Sequence, residues 1–349
     1  MHWSSPIILS ILVVGSGCQT AAYYSQAVSG QAQILCCQES IEKLIADPHQ
    51  PQAIVKKLKL VLELRNFARD NLDLNPGNNY LRYKALDRKY ALWVVYAAPE
   101  FDVNLKSWWY PIAGRFTSRG WFSETSARKY ANNLKREGLD VHIGGAPAYS
   151  TLGWFDDPVL STFIKYSKTD LAELIFHELA HSRLFIANDA TFNESFATAT
   201  ARAAVIRWLH SKSDAEGERR YRSEVKRMDV FVELVHQTRK ALKELYKKNY
   251  KPDDMRIRKA NVLSKLKARI LQLHSEDPEY IGLAHWAKRP INNANLAAIA
   301  VYHRQVSAFE QLLANHANDL EKYFSAVEEI TILPKEERKK KMQSLMNSK

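Results

Sequence analysis

The sequence predicts a mainly α-helical protein with a small β-sheet, an α+β fold. Long stretches repeat their apolar residues at helical spacing, among them 52–71 and 219–250. Only 12 Gly and 12 Pro interrupt 349 residues, and β-rich, glycine-punctuated runs are confined to about 92–155. At 46% hydrophobic and 25% charged, the chain has the composition of a globular protein with one large core or two smaller ones. No repeat of 20–50 residues is present.

Residues 1–17 read as a signal peptide: an apolar run from Ile7 to Val14, then Gly15, Ser16 and Gly17, directly before Cys18. The run is too short to span a bilayer. Small residues before a cysteine resemble a lipobox, in which Cys18 would be acylated and become the mature N-terminus. No Lys or Arg precedes the run, and Gly15 stands where lipoboxes usually carry Leu; the competing reading is a buried N-terminal helix. Gln19 in place of Asp after the cysteine points, by analogy with lipoprotein sorting, to the periplasmic face of the outer membrane. The expected location is therefore the cell envelope, lipid-anchored or secreted to the periplasm. Cys36 and Cys37 are adjacent and fit neither a disulfide framework nor a CxxC metal site.

A helical region, 18–90, follows, with helical pattern to about Asp87. The core region, 91–210, opens with "ALWVVYAAP", whose apolar run from Leu92 to Ala97 reads as a strand closed by Pro99. Two short extended pieces follow around Gly114 and Gly120. Ser123 to Glu137 reads as a helix with Ser123 as N-cap and Gly138 as its stop. "LDVHIGGAPAYSTLGWF" is extended again. A helix capped by Thr169 or Asp170 runs to about Ala187, "ANDATF" breaks it, and a second helix spans about Asn193 to His210. "SKSDAEGE" reads as a linker into a C-terminal helical region, 211–349. That region turns near Lys251-Pro252 and ends in a helix pair around Pro290 to Ser325, followed by the tail "PKEERKKKMQSLMNSK". The formal charge of +12 is densest in this tail, which reads as a solvated helix end or as a surface attracted to anionic headgroups or polymers. No nucleic-acid motif accompanies it, so no nucleic-acid partner is expected.

His177, Glu178 and His181 form HExxH on the first core helix. Positions i and i+4 differ by about 40° around a helix, so both imidazoles leave one face and can meet one tetrahedral zinc ion. Glu178, turned by about 100°, stands beside the ion, where a general base belongs. Burial of these polar groups among Leu171, Leu174, Ile175, Leu179 and Leu184 demands partners, which a metal supplies. The extended HExxHxxGxxH pattern is excluded, because Leu184 and Ala187 stand where Gly and His would be required. The next acids are Asp189 and Glu194. Glu194 is the preferred third ligand, since its helix offers a small-residue face at Ala197, Ala201 and Ala204; a helix pair bearing His and then Glu is the gluzincin arrangement. A capping box, Thr191-x-x-Glu194, competes for the same carboxylate. Asp189 would instead orient an imidazole. Upstream, an extended strand with a free edge would bind substrate main chain, with Tyr149, Ser150 and Thr151 as candidate contacts and Gly144 and Gly145 admitting the other backbone. Trp154 and Phe155 line a pocket or belong to the core.

These residues resemble a bacterial family of predicted zinc aminopeptidases, often carrying lipoprotein signals. The resemblance rests on "YYSQAVSGQ", "GRFTSRGWF", "PAYSTLGWFDDPVLSTF", "LAELIFHELAH", "FNESFATA" and "INNANLAAIAVYHRQVSAFEQLL" and extends over most of the chain. It implies a zincin-like metallopeptidase core framed by helices, with one zinc ion on His177, His181 and Glu194 and with Glu178 as catalytic acid/base. The substrate would be a peptide or protein. Asp156 and Asp157 either meet its α-amine or cap a helix. Asn292, Asn293, Tyr302 and His303 are polar groups in an otherwise apolar helix that would return to the site, with Tyr302 or its rival His303 stabilising an oxyanion, or else would form a helix surface. Two alternatives stand beside the aminopeptidase: a zinc endopeptidase acting on envelope proteins, and a non-enzymatic, membrane-tethered interaction protein that keeps zinc for structure. The intact Glu178 argues against the latter. No feature of the sequence sets an oligomeric state.

Overall fold

The computed structural model describes residues 23–110, 114–148 and 156–347. The signal segment with Cys18, and Tyr149, Ser150, Thr151, Trp154 and Phe155, lie outside the described residues. Helices dominate, with small sheets, as the sequence pattern predicts. The chain runs through α1 (23–35), β1 (Glu39–Ser40), α2 (Ile41–Ala46), α3 (Gln52–Asn71), β2 (Arg82–Lys84), β3 (Leu92–Pro99), β4 (Trp108–Tyr110), β5 (Gly114–Phe116), β6 (Arg119–Trp121), α4 (Glu124–Arg136), β7 (Leu139–Ala146) and β8 (Val159–Leu160). It continues through α5 (Lys168–Arg183), α6 (Ala190–Ser211), α7 (Ala215–Tyr246), α8 (Pro252–Glu276), α9 (Ile281–Ala287), α10 (Asn293–His303), α11 (Val306–Asn315), α12 (Leu320–Thr331) and α13 (Lys335–Asn347).

The sheet that frames the site has the antiparallel order β6-β3-β7. Its central strand, β3, is apolar throughout because it is covered on both faces. Trp93, Val95 and Ala97 pack against Ala127, Ala131 and Leu134 of α4, whereas Val94, Tyr96 and Ala98 pack against Ala294 and Ala298 of α10. Ser123 caps α4 by accepting from the Ser126 N–H, and Gly138 ends it at φ +80°, both at the positions the sequence predicts. Two further small sheets, β1-β2-β8 and the β4-β5 pair, have strands of two or three residues.

The helical pattern expected to about Asp87 ends at Asn71. "NPG" at 75–77 turns the chain, with Gly77 at φ +49° and Tyr80 at φ +62°. The expected last pair of helices is three, because the chain breaks after His303 and again at Ala317 and Asn318, both at positive φ. The expected linker after α6 is a tight turn: Ser213 is at φ +53° and Asp214 caps α7 by accepting from the Gly217 N–H.

The largest core joins α3, α5, α6, α11, α12 and α13. α6 is buried nearly all round, which is why its sequence lacks an amphipathic period. Its Ala197, Ala201 and Ala204 are buried, and α6 packs along α5. Buried Arg202 joins α6 to α7 and α11 through ion pairs to Asp229 and Glu310, each at 2.9 Å. In the basic tail, Arg338, Met342 and Leu345 of α13 are buried, while Lys339, Lys340 and Lys341 remain exposed.

Candidate active site

The site begins with how α5 and α6 are joined. Ser167, two residues before the expected cap, accepts from the Asp170 N–H and starts α5. The helix stops at Leu184, which is extended at φ −154°. Buried Asn193 then clamps the returning chain: its Oδ1 accepts from the Ile186 N–H at 2.9 Å, and its Nδ2 donates to the Ile186 carbonyl at 2.7 Å. Asn188 turns the backbone at φ +63°, and Asp189 caps α6 by accepting from the Phe192 N–H. With Asp189 as the cap, α6 starts at Ala190 and Glu194 lies a turn inside it, so the Thr191 capping box does not form. Glu194 is therefore left for the histidines.

The imidazoles and the carboxylate converge. His177 Nε2 lies 3.2 Å from His181 Nε2 and 3.3 Å from Glu194 Oε2, and His181 Nε2 lies 3.7 Å from the same oxygen. Donors about 2.0–2.1 Å from a tetrahedral ion are roughly 3.3 Å apart, so the three side chains fit a metal ion. Among the described residues they are the cluster of three with metal-ligand chemistry. Burial opposes ionisation of Glu194, yet the two imidazoles beside it outweigh that and bring its carboxyl down to about 2. Burial likewise opposes a charge on His177, but the Glu194 carboxylate holds its pKa above the ordinary histidine value. Glu178 behaves differently: burial raises its carboxyl above the usual range against the pull of both imidazoles.

A cavity of about 610 Å³ lies over these groups. One wall is β3 and β7 with the residues just after it, the second is α5 with Glu194 of α6, and the third is α10, with Phe116 and Phe185 completing the lining. β7 pairs with β3 alone among the described residues, so no described strand covers its outer edge beside the cavity. The two glycines of β7 differ. Gly144 faces the site, near Tyr96 and His142, whereas a side chain on Gly145 would collide with the Tyr90 ring.

Tyr302 and His303 both reach the cavity. Tyr302 lies beside Tyr96, whose proximity is the main cause that raises its hydroxyl well above the ordinary tyrosine pKa and so keeps it protonated. Burial, with Arg202 and His177 nearby, pushes His303 down to about 4, which leaves it neutral. Asn292 and Asn293 are placed elsewhere, outside the cavity lining. Asn292 caps α10 in a capping box with Asn295 and donates to the Val141 carbonyl. Asn293 is buried, accepts from the Tyr246 hydroxyl and donates to the Pro99 and Glu100 carbonyls, so both fasten α10 to the sheet. Asp189 is bound to Arg338 at 2.9 Å and is not brought to an imidazole of the site. Asp156 and Asp157 precede β8 instead of a helix and do not line the cavity.

Two cavity residues escaped the sequence reading. Tyr96 and His142 lie opposite each other in the β3–β7 register and stack at 6.1 Å, and His142 Nδ1 is bonded to the Asn295 amide at 2.9 Å. Burial is the main cause that brings His142 down to about 4. Strand alternation puts Val94 with Tyr96, and His142 with Gly144, on one face, but only the pairing of β3 with β7 brings the two sets together.

A family model described as "Putative aminopeptidase" matches residues 22–342, from α1 into α13. The chain belongs to this family. No curated protein and no solved structure matches the chain significantly. In this aminopeptidase family member, the matched span contains the whole His177, His181 and Glu194 cluster and every element that positions it.

Proposed function

We propose that this chain is a zinc metallopeptidase that removes N-terminal residues from peptides, with one zinc ion on His177, His181 and Glu194 and with Glu178 as general base. The observation that carries the reading is the presence of Glu178 in the same cavity as the three donors, on the helix that bears the histidines. Two imidazoles and one carboxylate are the donor set of a catalytic zinc site with an open position. Zinc bound there supplies Lewis acidity toward the scissile carbonyl and makes water a nucleophile near neutral pH.

The chain's own side chains do the rest. The outer edge of β7 holds substrate main chain by strand addition. Glu178, whose affinity for a proton is raised by burial, takes the proton of the attacking water and delivers it to the leaving amine. Tyr302, with its hydroxyl proton retained, donates to the developing oxyanion, and neutral His303 is its rival for that role.

One observation favours a second reading. Among the described lining residues the carboxylates are Glu178 and Glu194, both already assigned, whereas an aminopeptidase calls for a further acid to meet the substrate α-amine. A zinc endopeptidase acting on envelope proteins needs none. The envelope location, through an acylated Cys18, is part of the proposal. No helix among the described residues is long and apolar enough to cross a membrane.

The experiment is hydrolysis of matched free and N-acetylated peptides by zinc-loaded and chelator-stripped protein. Release of N-terminal residues from free peptides, lost on acetylation or chelation and restored by zinc, is the expected result. Internal cleavage of acetylated peptides would favour the endopeptidase, and turnover untouched by chelator would overturn both.

A further inference from the structure

Behind α10 lies a second cavity, of about 370 Å³, that shares Ile299 and His303 with the cavity over the histidines. These residues are four apart and form one ridge on the helix. Beyond the ridge the walls are Met228 and Phe231 of α7 and Leu283 and Trp286 of α9, with Arg289 at the rim. Phe231 and Trp286 meet edge to face, centroids 4.9 Å apart at 79°. That corner offers both a ring face and a ring edge to a third ring, and Met228 supplies an adaptable wall.

We infer that the substrate cleft continues over the Ile299–His303 ridge and that this second cavity takes an apolar, above all aromatic, side chain from a residue flanking the scissile bond. The inference rests on the peptidase reading and names its specificity. The shared wall of Ile299 and His303 places the pocket directly beside the cavity over the histidines. Its apolar walls select by area removed from water. The positive charge of Arg289, which is exposed and felt by His142 on the other side of the ridge, disfavours lysine and arginine side chains.

The test uses two tripeptide series, X-Ala-Ala and Ala-X-Ala, with X as Ala, Leu, Phe or Lys, on the zinc-loaded protein and on Met228→Trp, which fills the cavity from α7. At one of the two positions, kcat/KM for Phe is expected to exceed that for Ala by about tenfold or more, with Lys below Ala. Met228→Trp is expected to reduce the Phe/Ala ratio by about tenfold or more. Leu283→Trp fills the same space from α9 and serves if the first variant does not fold. A Phe/Ala ratio unchanged in the filled variant, or no discrimination in either series, overturns the inference. If the wild-type protein cleaves no peptide, the peptidase reading fails by itself. Calorimetric titration with L-phenylalaninamide against alaninamide then decides the pocket: tighter aromatic binding that the filled variant loses supports it, and equal or absent binding rejects it.

Discussion

Glu178→Gln is expected to lower kcat/KM for peptide hydrolysis by about 10²–10⁴-fold while the protein keeps its zinc. Glutamine preserves the size and polarity of the side chain but can neither accept a proton from water nor return one to the leaving amine. Metal retention follows from the geometry, because the converging donors are His177, His181 and Glu194. The check is kcat/KM together with metal content on the same preparation. Undiminished turnover by metal-loaded Glu178→Gln protein would remove this residue from the mechanism.

Glu194→Ala is expected to weaken zinc binding by more than about 100-fold, beyond the loss that follows removal of an outer partner of a metal ligand. It deletes the carboxylate that lies 3.3 Å from His177 Nε2 and 3.7 Å from His181 Nε2. The informative control is Asp189→Ala. Asp189 is bound to Arg338, whose side chain is 7% exposed, so its loss leaves a buried charge without its acid and costs about 3 kcal/mol of stability. Zinc affinity should survive in Asp189→Ala protein that still folds. Competition with a chromogenic chelator and urea unfolding separate the two effects, and release of zinc by Asp189→Ala would reverse the roles of the two acids.

Legibility in the sequence followed the range of the interaction concerned. α3 was readable from residue 52 to residue 71 because one apolar stripe repeats along it. β3 was readable because both of its faces are covered, so no polar residue interrupts the run. HExxH was readable because its chemistry is local to one turn and a half of helix. Asp189 was misread toward the imidazoles because its partner, Arg338, is 149 residues away. Asn292 and Asn293 illustrate a different limit. A polar residue in an apolar helix signals either a site or a buried fastening, and the carbonyls of Pro99 and Glu100 that decide for Asn293 lie in another element. Tyr96 and His142 needed the β3–β7 register, which no local pattern supplies. Strands of two or three residues, such as β1, β2 and β8, are too short to show a period at all.

The central claim is that three side chains from α5 and α6 hold one zinc ion next to Glu178. Diffraction from crystals of zinc-loaded protein, recorded on both sides of the zinc absorption edge, tests it most directly. The expected result is a single anomalous peak about 2.0–2.2 Å from His177 Nε2, His181 Nε2 and a Glu194 oxygen, with Glu178 outside bonding distance. A peak ligated by Asp189 or by Glu178, or zinc bound only elsewhere on the protein, would contradict it.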